Sequence, residues 1–95
     1  MPSDKKNEAR WWESAEDHRF ALEVLQLPLR RKMLKIIAGG SKSNEQMAKE
    51  LALGVALAEY HLQMLEKALV IEQTESGWTA TPTGRLYLKY VEAKS

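Results

Sequence analysis

Ninety-five residues support one compact domain and not two, because a single core becomes self-sufficient near that size. With 44% hydrophobic and 28% charged residues the composition is that of a folded globular protein rather than a disordered chain. The absence of cysteine excludes disulfides, thiolate metal sites and a cysteine nucleophile. No apolar run approaches the roughly 18 residues of a membrane span, and the polar stretch 1–8 lacks the apolar core of a signal peptide, so a cytoplasmic protein is expected.

The net charge of +1 is unevenly spread. Residues 1–42 carry nine basic and six acidic side chains, and residues 82–95 carry three basic and one acidic. Between them, residues 43–81 hold six acidic groups (Glu45, Glu50, Glu59, Glu66, Glu72, Glu75) against Lys49 and Lys67.

In chain order, residues 1–13 read as a polar N-terminal arm, unless Trp11 and Trp12 pin it to the fold or to a second subunit. Residues 14–95 form the domain. From Ser14 the apolar positions recur at helical spacing through Ala15, His18, Leu22 and Leu25, with Glu16 and Asp17 in the first turn, and this first helix is expected to end near Leu27. Pro28 suits the first position of a second helix, whose apolar face is Leu29, Met33, Leu34, Ile36 and Ile37 and whose stop is Gly39-Gly40. Ser43 and Gln46 form a capping box ahead of a short third helix built on Met47, Ala48 and Leu51. After the Gly54 turn, Val55, Ala58, Leu62, Leu65 and Leu69 make the stripe of a fourth helix, flanked by His61 and Met64. Its opposite face carries Ala56, Glu59, Tyr60, Gln63 and Lys67. Two β-prone runs, Val70–Gln73 and Trp78–Thr81, predict a hairpin with Gly77 in the strained turn conformation. Thr81-Pro82 then caps a last helix that packs through Leu86, Tyr87, Tyr90 and Val91. The order ααααββα is mainly α with a small β-hairpin, a winged helix-turn-helix.

Three segments resemble ArsR-type winged-helix regulators: Leu29–Ile37, Glu59–Val70 and Trp78–Gly84, which are similar to the family's "Arg-x-x-Ile-Leu", "Ser-x-His-Leu-x-x-Leu-x-x-Ala-Gly-Leu-Val" and "Tyr-x-Leu-Thr-x-x-Gly" motifs. The resemblance implies a homodimer paired through its first and last helices, with Trp11, Trp12, Phe20, Tyr87 and Tyr90 as candidate interface residues. It also implies that the helix starting at Val55 enters the major groove of double-stranded DNA while the hairpin tip reaches flanking phosphates. The candidate DNA contacts are then Ala56, Glu59, Tyr60, Gln63 and Lys67, with Arg30, Arg31, Lys32 and Lys42 on the phosphate backbone. Tyr60, an amphipathic ring on an exposed face, is the first choice among them.

The chain departs from that family where it matters most. Val55, Ala56 and Leu57 replace short polar residues at the head of the reading helix, Glu59 stands in place of a serine, and the hairpin tip offers Glu75 rather than a cation. This motivates an alternative, a winged-helix protein interaction module that does not bind DNA and docks a basic protein partner through its acidic helix and wing. ArsR-like metal sensors use cysteines on the third helix or carboxylate and histidine pairs on the last, and neither set is present, so no metal and no cofactor are expected. No paired nucleophile and base is found, and no enzyme activity is expected. His61 reads as a packed, hydrogen-bonded histidine beside the core stripe.

Overall fold

Ser14 opens the first helix by accepting a hydrogen bond from the Asp17 amide at 2.9 Å, so that the chain turns helical at its first side-chain cap. A computed structural model describes the backbone of residues 11–94 and the side chains of residues 11–91. The elements are α1 (Ala15–Val24), α2 (Pro28–Ala38), α3 (Asn44–Leu51), α4 (Val55–Lys67), β1 (Ile71–Thr74), β2 (Gly77–Ala80) and α5 (Pro82–Lys94). This is the winged helix-turn-helix order.

The expected caps are in place. Ser43 Oγ accepts from the Gln46 amide at 3.1 Å while Gln46 Oε1 accepts from the Ser43 amide at 2.8 Å, closing the capping box at the head of α3. Thr81 Oγ1 accepts from the Gly84 amide at 3.0 Å and donates to the Leu69 carbonyl at 2.7 Å, which ties the start of α5 to the end of α4. β1 and β2 pair antiparallel from Ile71↔Ala80 to Thr74↔Gly77. A third segment that the sequence pattern does not show joins them, because Trp78 exchanges backbone hydrogen bonds with Lys42 at 2.8 and 3.3 Å. Gly77 lies at φ 115°, and a β-carbon there would stand 2.7 Å from the Lys42 carbonyl oxygen, so both its dihedral and its space require glycine.

Five helices and the hairpin enclose one core. Leu25, Met33, Leu34, Ile37, Met47, Leu62, Leu65 and Ile71 are fully buried within it. Trp12 belongs to this core at 8% exposure, so the packed body begins before the boundary placed after residue 13, while residues 1–10 of that arm lie outside the described residues. Two other expectations change. α1 stops at Val24 rather than near Leu27, because the corner before Pro28 needs Leu27 extended as the N-cap of α2. α4 stops at Lys67, and Leu69 leaves the apolar stripe to become 48% exposed at φ 68°.

A branched side chain in the left-handed region is strained by roughly 1–2 kcal/mol. Leu69→Gly removes that strain at the cost of unfolded-chain entropy and a partly buried side chain, so a net gain of about 0.5 kcal/mol is expected. Thermal melting would then move up by a few degrees. A melting point lowered by the change would show that the Leu69 side chain does more than end the helix.

Candidate nucleic-acid interface

Burying Ala58, Leu62 and Leu65 turns the other flank of α4 outward, where Ala56, Glu59, Tyr60, Gln63 and Lys67 are all exposed. The five residues singled out on this helix therefore share one surface. It is held in register with the wing by a chain of side chains. Asn44, the first residue of α3, accepts from Trp78 Nε1 at 2.7 Å and donates to Glu59 Oε2 at 2.8 Å, linking β2, α3 and α4. Glu59 is thus a tether as well as a surface carboxylate. The sequence gives Asn44 no signal beyond a polar residue at a helix start, because the bridge joins segments 15 and 34 residues away.

Tyr60 is 52% exposed and has a cation behind it, with the Arg30 guanidinium carbon 5.6 Å from the ring centroid. That geometry corrects the assignment of Arg30 to the phosphate backbone. Arg30 is only 6% exposed, its Nε donates to His61 Nδ1 at 3.0 Å, and its Nη1 donates to the Val24 carbonyl at 3.3 Å. Arg31 is also committed, with Nη1 donating to the carbonyls of Leu25 at 2.7 Å and Gln26 at 3.0 Å. The physical reason is the α1–α2 corner: the last carbonyls of α1 have no partner within their own helix, α1 has no basic residue in its last turn, and two arginines of α2 complete it. Lys32 remains exposed, and Lys42 forms an ion pair with Glu50 at 3.1 Å.

His61 is the packed, hydrogen-bonded histidine expected from its place beside the stripe. Burial first and the Arg30 charge second hold its pKa below the ordinary 6.5. The folded state therefore resists a proton that the unfolded chain accepts, and its stability is complete above about pH 6.5 and falls as pH drops below that value. The melting temperature should decline between about pH 7 and pH 5, and decline less in His61→Asn, which keeps an acceptor for Arg30 without titrating. Parallel curves for the two proteins would remove His61 as the cause.

No known protein family matches this chain, and no curated protein does so. The geometry alone therefore bears on the remaining candidates. Of the five residues proposed for a dimer interface, Trp12 and Tyr87 are corrected to core positions. Trp12 Nε1 donates to the Ala68 carbonyl at 2.7 Å, and its ring stacks on His18 at 5.2 Å and 13°, while Tyr87 is 7% exposed with its phenol pushed up in pKa by burial. Trp11 is half-buried and donates to His18 Nε2 at 3.0 Å. Phe20 at 36% and Tyr90 at 52% are exposed. Trp11, His18, Leu22, Leu86, Tyr87 and Tyr90 border an apolar groove of about 550 Å3 between α1 and α5, and Phe20 is not part of its lining. Among the described residues no group of three His, Asp or Glu side chains is placed to hold a metal ion, and no helix is long and apolar enough to cross a membrane.

Proposed function

We propose that this chain is a DNA-binding transcriptional regulator of the ArsR-like winged-helix type, acting in the cytoplasm as a homodimer without a metal sensor site. The observation that carries the reading is the uncovered flank of α4, where Tyr60, Gln63 and Lys67 project beside a wing locked to the same helix through Asn44. Tyr60 and Gln63 supply contacts to base edges, and Lys67 supplies a phosphate contact. Pairing across the apolar α1–α5 groove would bury Trp11, Leu22 and Tyr90 and would set two α4 helices about one DNA turn apart. The test is selection from a randomised duplex library at low salt. Enrichment of a two-fold symmetric site is expected, and no enrichment of any duplex would end the proposal.

A second reading is favoured by one feature of the same surface. Val55, Leu57 and Tyr60 are 44%, 47% and 52% exposed at the head of α4, an apolar patch set among carboxylates. Such a patch is suited to a basic protein partner. Loss of partner capture on Leu57→Asp, in a protein that enriches no duplex, would support this reading over the first.

A further inference from the structure

Positive charge has one home among the described residues. α2 contains no acidic residue, and α5 contains none from Pro82 to Val91, whereas α1 sets Glu16, Asp17 and Glu23 against Arg19. The α3, α4 and hairpin segments are more acidic still. α2 and α5 pack on one another, and their exposed cations fall at helical spacing: Lys32 and Lys35 on the first, Arg85 and Lys89 on the second. Two surface grooves meet there. One of about 310 Å3 runs between Lys35, Arg85 and Lys89 over Ala38 and Leu88, and the other, of about 450 Å3, continues past Lys32, Lys35 and Gly39 to Lys42 and Glu50. Arg85 is pinned in place, since its Nη1 donates to the Ala38 carbonyl at 3.1 Å. Lys42, bonded to Trp78 of β2 and ion-paired to Glu50 of α3, joins this shelf to the base of the wing.

We infer that the sugar-phosphate backbone of duplex DNA docks on this α2–α5 shelf, with Lys32, Lys35, Arg85 and Lys89 as its phosphate contacts. The inference rests on the DNA-binding reading above and says where that DNA is held. α3, α4 and the wing together present six carboxylates and two lysines, too little positive charge to neutralise the several phosphates that a duplex brings. Among the described residues, the two grooves gather Lys32, Lys35, Lys42, Arg85 and Lys89 around one lining carboxylate, Glu50. The shelf's chemistry also separates phosphate from other anionic partners. No residue lining the two grooves is among the large exposed hydrophobic side chains, so the shelf lacks the apolar anchor that a membrane surface or a protein hot spot requires. Phosphate contacts need only donors and charge.

The probe is a short fluorescent duplex of random sequence titrated at several salt concentrations, with phosphatidylserine vesicles as the competing anionic surface. The triple variant Lys32→Gln, Lys35→Gln, Lys89→Gln changes only exposed positions, and an unchanged melting curve verifies its fold. The expected result is binding roughly a hundredfold weaker near 0.1 M salt and a salt slope shallower by about 3, equally for every duplex sequence. The companion variant Tyr60→Ala, Gln63→Ala should keep the slope and alter only sequence preference. Wild-type affinity and slope in the triple variant would overturn the shelf while leaving the DNA-binding reading standing. A wild-type protein that binds no duplex at low salt, or binds only vesicles, would overturn both.

Discussion

Replacing Trp12 by alanine is expected to cost about 3–5 kcal/mol, as for other large aromatic truncations in a packed core. That is a large share of the margin available to a domain of this size, whose whole stability is on the order of 5–15 kcal/mol. Trp12 lies 8% exposed against Tyr87, with ring centroids 6.4 Å apart, and stacks on His18. Its indole N–H also serves the Ala68 carbonyl at the end of α4, 56 residues away in sequence. Alanine opens a cavity and leaves that carbonyl unpaired, a second penalty of roughly 1–3 kcal/mol that is partly contained in the first. Trp12→Phe separates the two, since it keeps most of the ring volume and removes only the donor, and a loss of about 1–2 kcal/mol is expected. Urea unfolding followed by circular dichroism measures both. If Trp12→Ala unfolds at the wild-type denaturant midpoint, the N-terminal segment does not belong to the core.

The same tryptophan shows what was and was not legible in the sequence. Local grammar was readable: Ser43, Thr81, Pro28 and Gly77 announce caps, a helix start and a strained turn through their own backbone chemistry, and each is found in that role. The apolar period of α4 likewise named Ala58, Leu62 and Leu65 as core and, by opposition, the exposed flank from Ala56 to Lys67. Failures came where a residue's partner is remote. A basic run on an amphipathic helix looks solvated, yet Arg30 and Arg31 are turned inward by unpaired carbonyls of the preceding helix, which no spacing rule sees. Trp11 and Trp12 offered no period to place them. Arg85 and Lys89 of α5 come beside Lys35 of α2 only after folding, so no local pattern groups them.

These remote partners share a theme with consequences for function. Arg30 and Arg31 serve the end of α1, Arg85 serves the end of α2, and Trp12 serves the end of α4. Helix C-termini, negative by their own dipoles, are completed from neighbouring elements rather than by their own last residues. Arg30 and Arg31 are thereby withdrawn from any reading surface, Arg85 stays exposed on the shelf, and the other cations grouped there for a polyanion are lysines. Lysine offers a mobile point charge and no fixed fork for base recognition, which suits phosphate neutralisation more than sequence discrimination. Sequence preference, on the proposed function, must then come from Tyr60 and Gln63.

Gly84→Ala is expected to destabilise the protein by roughly 3 kcal/mol, a melting point lower by on the order of 10–20 °C. The sign is the informative part. Gly84 sits in the first turn of α5, and in an open helical site alanine would stabilise by about 1 kcal/mol. Here α5 begins directly against the backbone of Val70, whose carbonyl also accepts from the Thr81 amide at 3.0 Å. A β-carbon on Gly84 would stand 3.0 Å from the Val70 carbonyl carbon and 3.2 Å from its Cα, and would overlap the carbonyl oxygen. All three obstacles are backbone, so no rotamer change relieves them, and the start of α5 must move away from the strand. That motion opens the Thr81 contacts to Leu69 and Val70 and loosens the packing of Tyr87 behind them. Gly40→Ala is the control, because nothing lies within 4 Å of a β-carbon there and a change within about 0.5 kcal/mol is expected. Equal melting points for the two variants would mean that α5 does not rest on the Val70 backbone, and with that contact would go the rigid link between the wing and the helix that carries Arg85 and Lys89.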